Sequence, residues 1–230
     1  NYFRYFDLLV ATAITTSGQL SIRWVEKSFN IYLNRILKTT GVDYVIASDT
    51  DSVYVTFESL VAEKFKSGEQ TSEIVNFLDA FAKEELEPFI DKSYEALAKR
   101  MNAYDQKMQM AREAIASTGI WTAKKRYILN VWDMEGVRFK EPYLKIMGIE
   151  AVKSSTPAPC REKIKQALKI IINGNEKELN AFIKDFREEF MNLPPEDIAY
   201  PRSCNGIEKY TATSKSTMDL ISGETVEYGF

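Results

Sequence analysis

The chain has 230 residues, of which 45% are hydrophobic and 27% charged, with a net charge of −3. That is enough for one large or two small domains with a buried core. It has no apolar run of the roughly 20 residues that a membrane-spanning helix needs. It contains no histidine and only two cysteines, Cys160 and Cys204, which excludes Cys/His zinc centres and histidine-based nucleophilic triads, so any metal would be held by carboxylates. Charge is unevenly spread. From Trp121 to Ile170, 11 Lys and Arg face 5 Asp and Glu; from Glu58 to Ile120, 8 face 12. Such segregation suits a protein that holds an anion on one face and a cation on another.

In chain order, Asn1–Phe6 reads like the interior of a folded protein, and an upstream part is expected. Ile14, Leu20, Trp24, Val25, Phe29, Tyr32, Leu33 and Ile36 recur at three- and four-residue spacing and predict a helix over 12–37, ended by Gly41. Two β-branched runs, 42–47 and 52–57, flank the polar Ser48-Asp49-Thr50-Asp51. They predict a β-hairpin with mostly buried strands. A loop is expected over 66–71, then a long amphipathic helix over 72–104 with a bend near Pro88. Further strands are expected at 108–116, 126–132 and 144–152. Thr156 would cap a helix with Pro157 at its first position, running to Ile172 and stopping at Asn173-Gly174. Asn175 with Glu178 predicts a second cap, on a helix that buries Leu179, Phe182, Ile183, Phe186 and Phe190. After Tyr210 the chain loses any period. The expected fold class is α+β: an antiparallel-sheet body with packed helices, followed by a helical section.

Asp49-Thr50-Asp51 is the strongest chemical feature. Two carboxylates at the tip of an apolar hairpin invite a divalent cation, since hard oxygen ligands suit Mg²⁺ or Mn²⁺. The three letters alone also fit a solvated turn, or the Asp-x-Asp metal site of a glycosyltransferase.

The surrounding stretch narrows the choice. Tyr44-Val45-Ile46-Ala47-Ser48-Asp49-Thr50-Asp51-Ser52-Val53-Tyr54-Val55 resembles the third polymerase signature of family B DNA polymerases, with Ala47-Ser48 in place of the usual Tyr-Gly. Other segments follow in the family's order. Ala11–Gly18 resembles the helix returning from fingers to palm. Arg112-Glu113-Ala114-Ile115 resembles a palm strand with a further acid. Trp121–Tyr127 resembles the primer-grip element, and Tyr143–Glu150 with Lys153–Pro157 the palm-to-thumb passage of the tailed-phage branch.

The resemblance implies a palm over 1–152 and the beginning of a thumb over 153–230. It implies two Mg²⁺ ions, with Mn²⁺ as a substitute, Asp51 as main ligand, Asp49 as weaker partner and Glu113 as auxiliary acid. Thr50 and Asp51 would meet the incoming nucleotide. Lys124, Lys125, Arg126 and Tyr127 would grip the primer, with Lys153, Ser154, Ser155 and Thr156 on phosphates and Asn205, Lys209 and Tyr210 on the primer backbone. Implied partners are primer–template DNA, deoxynucleoside triphosphates, an N-terminal polymerase part with exonuclease, fingers and the other catalytic Asp, and a sliding clamp. The setting would be an infected bacterial cell, with no membrane. The fingers motif and first carboxylate motif do not occur here, so the chain alone is expected to be inactive. A non-catalytic primer–template-binding module is the second alternative, which the retained acids disfavour.

Overall fold

The computed structural model describes residues 4–65 and 71–200, and the fold is α+β. The chain forms two compact units. The first is residues 1–115 with 132–140, and the second is 116–131 with 141–230. No helix among the described residues is long and apolar enough to cross a membrane.

The first unit is built on α1 (Leu8–Ile36), which starts earlier than its apolar period suggests. Asp7 caps it, its carboxylate accepting the N–H groups of Leu9 and Val10, satisfying donors that have no partner inside the helix. Only the later half buries its stripe: Val25, Phe29, Tyr32 and Leu33 are core residues. Ile14 and Leu20, expected on that stripe, are 68% and 40% exposed. Periodicity identifies an apolar face but not what covers it.

After α1 comes the hairpin β1 (Val45–Asp49) and β2 (Ser52–Val55), then α2 (Glu58–Lys64). The hairpin strands are half-buried rather than mostly buried, and Ile46 is exposed. Next is α3 (Thr71–Phe81), a π-helical stretch over Ala82–Leu86, and α4 (Glu87–Arg100). The bend expected near Pro88 is this wide turn. Proline has no N–H and its ring collides with the carbonyl four residues back. The Glu87 N–H instead reaches five residues back, to the Ala82 carbonyl. Ala82, Leu86, Ile90, Tyr94 and Leu97 then pack with α1 and Tyr44 in one core. Phe89 stacks on Tyr32 with centroids 4.1 Å apart, and the Trp24 indole N–H donates to the Ser93 carbonyl at 2.9 Å.

Three antiparallel strands follow: β3 (Ala114–Ala123), β4 (Arg126–Met134) and β5 (Val137–Met147), with β4 in the middle. β3 leaves the first unit after Ile115, β4 returns to it at Trp132, and β5 leaves it after Lys140. The strand expected at 108–116 begins only at Ala114, because 108–113 is irregular backbone held by side chains: Gln106 clasps Met108, and the Arg112 N–H donates to Glu87. The strand expected at 144–152 ends at Met147, and Glu150–Val152 is a 3₁₀ turn. Gly148, with φ +67°, makes that break.

In the second unit, Ile128, Ile149, Ala151 and Leu168 form a core joined by Ile120, Leu144, Ile146, Ile164 and Ile172. Its helices are α5 (Ala158–Asn173), α6 (Glu176–Phe190) and the short α7 (Pro195–Ile198). Thr156 is not the cap of α5. The chain places Pro157 there, and Thr156 is 5% exposed. The stop at Gly174 and the cap by Asn175 stand as expected, with the Glu178 N–H donating to Asn175 Oδ1 at 3.1 Å. The apolar face of α6 is not buried: Leu179, Phe182, Phe186 and Phe190 are half-exposed and Ile183 is 52% exposed.

Candidate functional site

The Asp49–Asp51 tip is shaped by its own backbone. Asp49 pairs with Ser52, leaving Thr50 and Asp51 as the two turn residues. The Asp51 N–H turns back to the Asp49 carbonyl at 2.5 Å. Thr50 Oγ1 donates to Asp49 Oδ1 at 3.0 Å, and Ser52 Oγ to the Asp49 carbonyl at 3.2 Å. Asp49 is half-buried and Asp51 exposed.

Thr50 sits at φ +48°, a left-handed conformation that is unfavourable for a β-branched residue. Such strain is a recurrent mark of functional turns. Thr50→Asn, which tolerates this region, is expected to stabilise the chain by about 1 kcal/mol and raise its melting temperature by about 2–4 °C. Thr50→Val keeps the strain, loses the hydroxyl bond and should lower it. Thermal unfolding of the pair checks both directions.

Glu113 lies one residue before β3 and is exposed; its carbonyl accepts the Glu135 N–H at 2.6 Å. Among the described residues no three acidic, His or Cys side chains are placed to hold a metal, so Glu113 does not join Asp49 and Asp51 in one cluster. Asp49 and Asp51 supply hard oxygen donors of the kind that Mg²⁺ accepts. They fit one side of a divalent-cation site, not a closed cage.

Sequence reading missed what stands beside Glu113. Arg112 donates through Nη1 to Asp133 Oδ1 and through Nη2 to Asp79 Oδ1. Arg138 Nε pairs with Asp133 Oδ2 at 2.5 Å, the Gly136 N–H donates to Asp133 Oδ1 at 3.0 Å, and Lys83 reaches Asp79 at 2.9 Å. The Asp133 side chain is only 1% exposed. These ions tie α3 to the β4–β5 end within the first unit. Partners 21 and 33 residues away leave no local pattern.

In the second unit, Lys124 and Lys125 form the two-residue turn between β3 and β4, exposed, with Lys125 at φ +61°. A Cβ on Gly148 would stand 2.2 Å from the Lys125 carbonyl oxygen, so only glycine lets the 148 backbone pass beneath this turn. Tyr127 is buried in β4. Arg126 Nη2 donates to both oxygens of Glu150 at 2.7 and 2.6 Å, and Lys153 Nζ donates to Glu150 Oε1 at 2.9 Å. Glu150 thus brings two of the expected DNA-contacting cations together. Ser154 and Ser155 are exposed in a turn, and Thr156 is buried behind them. Asn205, Lys209 and Tyr210 lie outside the described residues.

Lys153 first, then the residue's own N–H and Arg126, hold the Glu150 carboxyl down at about 2. A depressed carboxyl keeps its contacts as pH falls through the ordinary range and gives them up only near its lowered value. The carboxyl carbon shift of Glu150 should therefore titrate with a midpoint near 2, and Lys153→Ala should raise that midpoint. A midpoint in the ordinary glutamate range would show that the contact does not form in solution.

The fold is α+β, the class that the polymerase resemblance implies. No protein-family model matches the chain. Two curated proteins do. The chain is 40% identical over 221 residues to the DNA-directed DNA polymerase of Enterobacteria phage T4, and 43% identical over 218 residues to that of Escherichia phage RB69. Each match takes in 91% of this chain and 24% of the relative, so the chain spans about a quarter of the length of the curated relatives it matches. It is thus a relative of a segment of phage DNA-directed DNA polymerases, as its motifs imply.

Proposed function

We propose that the chain is the C-terminal, palm and thumb part of a family B DNA-directed DNA polymerase that acts in an infected bacterial cell. The observation that carries this is the strained Asp-Thr-Asp hairpin lying within a segment 40–43% identical to two phage polymerases. These relatives favour polymerisation over the Asp-x-Asp glycosyltransferase alternative. In this reading residues 1–152 are palm and 153–230 the start of the thumb. Two Mg²⁺ ions, when bound, would acidify the primer 3′-hydroxyl and neutralise the triphosphate and departing pyrophosphate.

The chain's own residues bind and orient. Asp51, exposed at the tip, is the main ligand. Asp49, whose carboxylate also accepts the Thr50 hydroxyl, is the weaker one, and Thr50 and Asp51 border the incoming nucleotide. Lys124 and Lys125, held out on the tight turn above Gly148, reach the primer's minor groove. There a lysine can meet acceptors common to all base pairs, so it tests pairing without reading sequence. Arg126 and Lys153 keep their orientation through Glu150, and Ser154 and Ser155 offer hydroxyls to phosphate. Tyr127, buried in β4 with its ring centroid 6.3 Å from that of Trp121, completes the primer-grip element. Glu113 is an auxiliary acid. The two hairpin carboxylates do not complete a metal site alone, so synthesis needs an N-terminal part that brings the exonuclease, the fingers and a further catalytic Asp. Primer–template DNA, deoxynucleoside triphosphates and a sliding clamp are the remaining partners.

The test is primer extension with Mg²⁺ by this chain, by a separately expressed upstream part, and by the two mixed. Extension is expected only from the mixture. Extension by the chain alone would overturn the need for a partner. Assembly and primer–template binding without extension would favour a binding module.

A further inference from the structure

The side chain of Asn30, on α1, is spent on Asp43 and Tyr44, which lead into β1, and on Val45, its first residue. Its Oδ1 accepts the N–H groups of Tyr44 at 2.8 Å and Val45 at 3.2 Å, and its Nδ2 donates to Asp43 Oδ1 at 2.7 Å. Asp43 Oδ1 also accepts the Val45 N–H at 3.2 Å, and the Tyr44 carbonyl accepts from Thr56 at 2.9 Å.

Directly beyond this anchor the ladder is irregular. Val45 faces Val55, but Ala47 faces Tyr54, so Ile46 is an extra, bulged residue, 53% exposed. The ladder then runs to Asp49 opposite Ser52. A slip of one residue in such a ladder sends every side chain to the other face. These strands are only five and four residues long, and their turn carries a residue at an unfavoured φ, so the turn holds the register weakly.

We propose that Asn30 is a positioning residue for the catalytic hairpin, pinning the bulged register in which Asp49 and Asp51 are presented together. This rests on the reading of the hairpin as the metal-binding arm of a polymerase.

Asn34, one turn on, provides the comparison. It makes the same kind of bonds, accepting from Val42 at 3.0 Å and Thr39 at 3.0 Å and donating to the Val42 carbonyl at 2.7 Å. It closes the loop before β1 and does not touch the strand. Losing either side chain removes several bonds, so their stability costs should match. Only Asn30 should govern the tip.

The experiment uses the full chain with Asn30→Ala, Asn34→Ala, Asn30→Asp, and Asn30→Asp combined with Asp43→Asn. Three quantities are read: thermal unfolding, amide hydrogen exchange over residues 47–53, and the Mn²⁺ concentration that half-broadens the amide resonances of residues 49–52. Asn30→Ala and Asn34→Ala should lower the melting temperature alike. Asn30→Ala alone should speed exchange over 47–53 by about tenfold and raise the Mn²⁺ midpoint by about tenfold, from the loss of a few hydrogen bonds. Asn30→Asp keeps an acceptor for the Tyr44 and Val45 N–H groups but sets two carboxylates against each other, and should move both readings in the same direction as Asn30→Ala, by less. Adding Asp43→Asn restores one donor facing one acceptor and should return both readings toward normal, which a residue that merely fills space would not do.

Equal exchange in Asn30→Ala and Asn34→Ala, or no rescue by the paired exchange, would overturn the proposal. If Mn²⁺ fails to broaden the tip in the unsubstituted chain while the exchange contrast and rescue remain, the metal reading fails and the register role stands.

Discussion

Asp133→Ala is expected to cost the chain about 3–5 kcal/mol, the range for removing one partner of a buried ion pair. The cause is what remains behind. Asp133 is wholly buried and faces Arg112 and Arg138, so its removal leaves a covered Arg112 guanidinium with Asp79 as its remaining carboxylate. Denaturant unfolding should show the loss, with a fall in melting temperature of roughly 6–20 °C. A loss under about 1 kcal/mol, the range of exposed pairs, would mean that the cluster is solvated. The same ions contribute to stability toward acid. Lys83 first, and Arg112 behind it, hold the Asp79 carboxyl below its ordinary 3.8. A depressed carboxyl contributes stability above its unfolded value and loses it as pH falls through the folded one. The contribution is therefore intact at neutral pH and disappears below 3.8, and Lys83→Ala should move acid unfolding to higher pH.

The second large effect concerns catalysis. In the mixture of this chain with its proposed upstream part, Asp51→Ala should reduce primer extension at least about 100-fold. Disturbing even an outer-shell partner of a metal site costs 10–100-fold, and Asp51 is proposed as a direct ligand. Asp49→Ala should cost less, because Asp49 is half-buried and its carboxylate is shared with the Thr50 hydroxyl. The loss in Asp51→Ala should persist at saturating nucleotide, and the melting temperature should hold, since Asp51 is exposed. Extension by Asp51→Ala at an undiminished rate would remove the hairpin from the reaction.

Local chemistry was the legible part of this fold. The hairpin could be read because β-branched runs flank a polar tip. The cap at Asn175 and the bend near Pro88 could be read because proline and Asn-to-Glu spacing act on neighbouring backbone. What failed was long-range. Arg112 belongs to no period, and its partners come from a helix and a strand elsewhere in the chain, so nothing local marks 108–113 as irregular backbone. Thr156 looked like a cap because it precedes a proline, but burial claimed it and Pro157 took the position. The apolar stripe of α6 and the early part of α1 show the same limit: a period marks a face and does not supply a partner. Asn30 shows it for the site itself, since a polar residue on a helix gives no sign that it serves a strand more than a dozen residues on.

The π-helical stretch before Pro88 sets the rotational phase of everything after it. Apolar residues at 82, 86, 90 and 94 are four apart, and on a regular helix a spacing of four drifts by about 40° at each step. One wide turn takes up part of that drift, so Ala82, Leu86, Ile90 and Tyr94 stay in a single core with α1. A deletion of one residue among the exposed Lys83, Glu84 and Glu85 would look harmless on the surface and would straighten the helix. Ile90, Tyr94 and Leu97 would then keep nearly their present phase, whereas one extra residue wound as regular helix would turn them by about 100° away from α1. The length of this outer segment is therefore under core constraint against insertion, and two of its side chains carry contacts of their own, Lys83 with Asp79 and Glu85 with the Tyr32 hydroxyl, so substitutions should be tolerated best at Glu84.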